Sequence, residues 1–273
     1  MEPQSEFFRS AIAPDVELHA LHWGKLGDPI VVALHGGGAN AHWWNHLAPA
    51  LAERFHVVAL DFRGHGDSSS PERLQTGAFQ RDLDAVLDHL GRADVHLLGH
   101  SMGAHVSLAH AAANPSCRSL SLLDPLRGAE SRSRRGARLA LHFRRTYRSR
   151  EEAARRFRFY PDAPYVTEEL RGAIARASIR READGRYGFK FDPRWFGVPP
   201  APRPDLSRVL CPVLLVQGAE SPLLTDKGVR AFAEDLSQLK VATVERAGHH
   251  VHVDAPGPVL AALREFLFPQ RIV

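Results

Sequence analysis

The chain has 273 residues, of which 44% are apolar and 24% charged, and its net charge is +4. That length buries one good core and leaves room for an insertion, and the balance is that of a globular enzyme rather than a disordered or fibrous chain. No apolar run reaches the length of a membrane span, and Met1-Glu2-Pro3-Gln4-Ser5-Glu6 lacks the basic patch and apolar stretch of a secretory signal. A soluble cytoplasmic protein without a membrane partner is the expectation.

Short apolar runs alternate with helical patterns. Val16 to Trp23, Ile30 to Leu34, His56 to Leu60, Val95 to Leu98, Ser119 to Leu123, Val213 to Val216 and Val241 to Val244 read as strands. Helices are expected near His42 to Glu53, Gly77 to Leu90, Met102 to Ala113, Lys227 to Leu236 and Pro258 to Phe266. Such alternation predicts an α/β fold, a mostly parallel sheet with helices on both faces. Between Pro125 and Arg208 the strands vanish, and the chain returns through Val198-Pro199-Pro200-Ala201-Pro202-Arg203-Pro204, a stiff extended connector. Ser149-x-x-Glu152 and Thr167-Glu168-Glu169 read as helix starts inside this stretch. The expectation is a core of residues 1–124 and 209–273 with a helical lid at 125–208.

The lid is basic. Arg127 to Arg208 holds 20 Arg and one Lys against ten acidic residues, a balance of +11 that leaves about −7 for the rest. Aromatics at helical spacing, such as Phe143 and Tyr147, are read as packing on the core while arginine heads stay in solvent. Attraction of an anionic substrate is the alternative, and no nucleic-acid partner is expected.

The chemistry centres on Gly99-His100-Ser101-Met102-Gly103, which follows an apolar run and precedes a small-residue helix. A serine there sits on a strand–turn–helix elbow, with glycines where larger side chains would clash. Ile30 to Leu34 runs into His35-Gly36-Gly37-Gly38, a loop type that supplies a donor to a developing oxyanion, and Ala247-Gly248-His249 follows the last strand. Asp61-Phe62-Arg63-Gly64-His65-Gly66-Asp67-Ser68 lies between the oxyanion loop and the elbow, with Asp61 and Arg63 read as loop braces.

With these segments in this order, the chain from about Val16 to Leu267 resembles the α/β-hydrolase family. The resemblance implies a mostly parallel central sheet of about eight strands with helices on both faces and a helical cap inserted after strand six. It also implies Ser101 as nucleophile and His249 as general base, with Gly248 letting the base loop pass close to the elbow. The oxyanion donors would be the backbone N–H groups of Met102 and Gly37, with Gly38 as the alternative. The third member departs from the family pattern: Ser221 stands where members most often place an aspartate after strand seven. Asp124, ending strand six in Leu122-Leu123-Asp124-Pro125, is the favoured acid, and Glu220 is the alternative.

The expected activity is that of a carboxylesterase-like serine hydrolase, cleaving a small-molecule acyl ester through an acyl-enzyme on Ser101. An acyltransferase, a thioesterase or lactonase, a C–C hydrolase, or a ligand-binding protein without turnover remain alternatives on the same residues. Trp44, Phe143, Tyr147 and Trp195 are candidates to line an acyl pocket, with core packing as the competing reading. His100 reads as a packed residue rather than a base. Neither a metal nor a cofactor is expected, because His249, His250 and His252 lack ligand spacing. Cys117 and Cys211 each precede a strand and are expected to be buried free thiols; the resemblance makes those strands neighbours.

Overall fold

Branched residues fill Ile30–Leu34 (β3), His56–Asp61 (β4) and Ser119–Leu123 (β6), which are buried along their whole length. This is the pattern of strands covered on both faces. In the computed structural model, which describes residues 1–128, 145–199 and 201–268, they join Gln4–Phe8 (β1), Leu18–Trp23 (β2), His96–His100 (β5), Val213–Gly218 (β10) and Leu239–Val244 (β11) in one sheet. Its order is β1-β2-β4-β3-β5-β6-β10-β11, with β2 antiparallel to both neighbours and every other pairing parallel.

The two-residue period of the strands divides the core. Val32, Leu34, Val58 and Leu60 face one way, toward apolar residues of Ala78–Leu90 (α2), Met102–Ala113 (α3) and Asp226–Asp235 (α6). Val31, Ala33, Val57 and Ala59 face the other, toward Ala48–Leu51 (α1) and Pro256–Leu267 (α8). The paired strands β6 and β10 start beside Cys117 and Cys211, and both thiols are free. Cys117 is buried as expected, whereas Cys211 is only half-buried.

Three elements depart from the sequence reading. Strand β1 was not foreseen because it is an edge strand whose residues, Phe8 apart, are at most half-buried, which leaves too little apolar signal. The helix expected over His42–Glu53 is instead a single 3₁₀ turn, Ala41–Trp44, followed by the short α1. Pro49, in the first turn of α1, lacks the N–H that would continue a helix from Asn45.

The stretch between β6 and β10 is not purely helical. Arg150–Arg156 (α4) and Glu168–Ala177 (α5) start where expected, Ser149 and Thr167 each accepting a backbone N–H three residues on. Beside them lies a small antiparallel sheet of Thr146–Tyr147 (β7), Ile179–Arg181 (β8) and Tyr187–Phe189 (β9), in the order β7-β9-β8. Tyr147 therefore lies on a strand rather than at a helical spacing, and Phe143 falls outside the described residues. Asp184-Gly185 turns the β8–β9 hairpin, with Gly185 at positive φ.

The elbow is where α3 meets the sheet. A Cβ on Gly103 would lie 2.2 Å from the Leu34 carbonyl oxygen, and one on Gly99 2.6 Å from the backbone of Ala104. Gly103→Ala should therefore destabilise the fold by about 1–3 kcal/mol, although an unhindered helical Gly→Ala exchange gains up to about 1 kcal/mol. Gly257→Ala, in α8 with open space around it, is the matched control and should stabilise. Urea denaturation of both variants checks the opposite signs.

Candidate active site

Ser101 ends the turn after β5 at φ 51°, ψ −110°, a conformation that L-residues rarely adopt. Its N–H donates to the Leu123 carbonyl at 3.0 Å, which ties the elbow to the end of β6. The side chain is half-buried. Its hydroxyl lies 3.0 Å from His249 Nε2, and His249 Nδ1 lies 2.8 Å from Asp124 Oδ1. A carboxylate only accepts, so the imidazole proton sits on Nδ1 and the Nε2 lone pair faces the serine hydroxyl.

Asp124 follows β6 directly, at φ 45°, and is fully buried. Its Oδ1 also accepts the Ser221 hydroxyl at 2.5 Å, and its Oδ2 accepts the Gly218 N–H at 3.0 Å. Burial pushes the carboxyl upward from its ordinary range, and the donors from His249, Ser221 and Gly218 oppose that push. Glu220 is elsewhere: it is exposed and accepts the Tyr165 hydroxyl at 2.7 and 2.8 Å. Ser221, at the position where an acid was looked for, thus donates to Asp124 at the end of the neighbouring strand.

His249 lies between β11 and the short helix Val251–Asp254 (α7). The glycine that admits this loop is Gly218 rather than Gly248, which corrects the sequence reading. A Cβ on Gly218 would meet the Gly248 carbonyl oxygen at 2.2 Å, whereas one on Gly248 meets nothing closer than 3.4 Å. His100 is buried and its Nε2–H donates to the His249 carbonyl at 3.0 Å. Burial first, and the imidazoles of His252, His249 and His250 next, hold His100 neutral, far below the usual histidine range.

Gly37 and Met102 approach each other: a Cβ on Gly37 would come within 4.0 Å of Met102 Sδ. The N–H groups of Gly37, Gly38 and Met102 have no acceptor among the described residues. His35 orients this loop, its Nδ1–H donating to the Gly36 carbonyl at 2.7 Å while its Nε2 accepts the Phe62 N–H. Asp61 braces it, accepting the Ala41 N–H at 2.6 Å and the Asp67 N–H at 2.9 Å. Asp61 also pairs with His19 at 2.6 Å, and Asp67 with Lys190 at 2.7 Å. His19, Asp61 and Asp67 each bring a ring nitrogen or carboxylate oxygen within 4.8 Å of the others, and the cluster is bonded internally and to Lys190.

A cavity of about 250 Å³ opens beside Gly37 and Gly38. Tyr147 lines it, but Trp44 and Trp195 do not. Trp44 is buried in the core beneath β3 and β4, while Trp195 packs on Gly64 and Phe79. The indole on the cavity belongs to Trp43, whose Nε1–H donates to Ser178 at 3.1 Å. Arg145, Arg156 and Arg158 also reach the cavity, which the general arginine excess hinted at without naming them.

Residues 29–256 match the family model of the alpha/beta hydrolase fold, and the chain belongs to that family. It is 28% identical to epoxide hydrolase A of Mycobacterium tuberculosis over 92% of this chain and 94% of that protein. It is 29% identical to an esterase of the same organism over 93% and 89%. Among solved structures, E-2-(acetamidomethylene)succinate hydrolase superposes with a TM-score of 0.83 at 22% identity, covering 97% of this chain and 100% of that one, a likeness of fold. Among the described residues, no helix is long and apolar enough to cross a membrane.

The support under Asp124 has a measurable value. Ser221→Ala removes one donor from a buried carboxylate and leaves the N–H groups of Leu223 and Leu224 without their acceptor. It should lower the unfolding free energy by about 1–3 kcal/mol, read from urea denaturation near neutral pH.

Proposed function

We propose that the chain is a serine hydrolase that cleaves a carboxylic ester through an acyl-enzyme on Ser101. The observation that carries this reading is the continuous hydrogen-bonded line Ser101–His249–Asp124, at 3.0 and 2.8 Å. An isolated serine hydroxyl is a poor nucleophile at neutral pH, and this line supplies the base and the group that orients it.

In the reaction, Ser101 Oγ bonds to the carbonyl carbon as its proton passes to His249 Nε2. The imidazolium that forms faces the buried Asp124 carboxylate, which three donors hold in place against the upward push of burial. The oxyanion is met by the N–H groups of Met102, at the start of α3, and Gly37, with Gly38 next in line. The C–O bond to the alcohol breaks as His249 returns the proton to the departing oxygen. Water then attacks the acyl-enzyme with His249 again as base, and collapse frees the acid and Ser101.

The serine itself argues for acyl chemistry over epoxide opening, despite the similarity to an epoxide hydrolase. Attack of Ser101 on an epoxide carbon would leave an alkyl ether, which has no carbonyl for water to attack. An acyl serine has one.

Ser101→Ala should lower hydrolysis of short p-nitrophenyl esters by about 10³-fold or more, and Asp124→Asn by about 10⁴-fold. Glu220→Gln should change the rate by less than about twofold, since surface substitutions away from the chemistry are nearly neutral. A fluorophosphonate should label the parent and not Ser101→Ala. Full activity in Asp124→Asn with loss in Glu220→Gln would reverse the assignment of the acid.

A further inference from the structure

Arginines of the segment between β6 and β10 differ in their partners and in where they lie. Arg127, Arg171, Arg180 and Arg194 pair with Asp235, Glu168, Glu182 and Asp192 respectively. Arg145, Arg156 and Arg158 have no carboxylate partner among the described residues, and Arg158 spends one nitrogen on the carbonyls of Arg155 and Phe157. These three line the cavity that adjoins Gly37 and Gly38, and no described carboxylate lines it with them. Arg156 and Arg158 also border an outer recess with Arg155 and Glu152, so one acid lies near them on the solvent side.

Three arginines border one small space, and like charges gathered there are relieved when an anion joins them. Guanidinium forks bind carboxylate and phosphate oxygens in pairs of charge-assisted bonds. The remaining walls are aromatic, Trp43, Phe157, Phe189 and Phe191 among them, while the three arginines are themselves exposed, so their attraction for an anion is open to screening by salt. At about 250 Å³, the cavity is smaller than the roughly 300–1,000 Å³ of pockets that take drug-sized ligands, so its occupant is small.

We infer that this cavity is a subsite for an anionic oxygen group, carboxylate or phosphate, carried on the acyl part of a small ester. The assignment rests on the acyl-enzyme reading, because Gly37 and Gly38 place the same cavity beside the proposed oxyanion site. An ester whose acyl chain ends in an anion is then held at both ends, its carbonyl by backbone N–H groups and its far end by arginine. The extra bonds raise kcat/KM over a neutral ester of equal length.

The test compares p-nitrophenyl esters of glutarate, of its methyl-capped neutral analogue, and of a phosphonate-terminated chain of matched length. The anionic esters should exceed the neutral one in kcat/KM by about tenfold or more at low salt. The ratio should shrink near 1 M salt, where the screening length is about 3 Å. It should fall toward one in Arg156→Gln/Arg158→Gln and in Arg145→Gln. The better of the two anions identifies the group. Equal rates on the charged and capped esters, or a ratio that survives the arginine variants, overturn the subsite while leaving ester hydrolysis intact. If no ester is turned over, it is the acyl-enzyme reading that fails. The subsite then stands or falls by calorimetry on Ser101→Ala, where monomethyl glutarate should bind and dimethyl glutarate should not.

Discussion

The close approach of helix α3 to the ends of β3 and β5, with no side chain between the backbones, is the constraint on which the site depends. It holds Ser101 at φ 51°, ψ −110°, a conformation that costs on the order of 1–3 kcal/mol and persists only where the surroundings over-determine it. Here they do: the Ser101 N–H is tied to Leu123, Gly103 lies against Leu34, and an apolar core packs on each face of the sheet. The strain has a product. A relaxed residue at this position would continue either the strand or the helix, whereas the bend presents the hydroxyl and the first free N–H of α3 on the same side.

The second requirement is a buried carboxyl group held in one orientation by donors. Asp124 meets it because strand order makes β10 the neighbour of β6, so the end of β10 brings the Gly218 N–H and the Ser221 hydroxyl to its two oxygens. A second acid at position 221 would face Asp124 across that distance, and two close carboxylates cannot both stay ionised. Serine at that position and aspartate after β6 are therefore one solution rather than two separate departures. His100 adds to the same economy, spending its one donor on the His249 backbone while burial keeps it neutral.

Much of this was legible in the sequence, for reasons that differ by element. The central strands are buried on both faces and read as unbroken apolar runs, and Ser101, Asp124 and His249 each sit at an offset from such a run. Edge strand β1 and the β8–β9 hairpin were not read, because β1 is largely exposed and strands of three residues are too short to show an apolar alternation; the Asp184-Gly185 turn was a signal for the hairpin. Trp43 and Trp44 show a further limit. Adjacent residues on a 3₁₀ turn point different ways, so choosing the wrong one of the pair moved the expected pocket residue into the core. Gly248 was credited with a clearance that Gly218 provides, because the clash is set by the neighbouring strand and not by local sequence. The Ser221 bond to Asp124 spans 97 positions and leaves no local trace.

The segment between β6 and β10 does more than cover the cavity. Asp254, in α7 just beyond His249, accepts the Tyr165 N–H at 3.0 Å with one oxygen and the Gly248 N–H at 2.9 Å with the other. One carboxylate thus fastens the insert to the loop that carries His249. A second seam runs on the far side of the site, where Ser178 accepts from both Asn40 and Trp43 beside the Gly37-Gly38 loop. A third joins Lys190 and Asp192 to the backbone at Gly66 and Gly64. This segment is therefore bonded to the loop that carries His249, to the turn after Gly38 and to the brace around Asp61. Lifting it would release polar partners in all three at once, so the arrangement that forms the cavity walls is also the one in which His249 and the glycine loop at Gly37 and Gly38 are held in place.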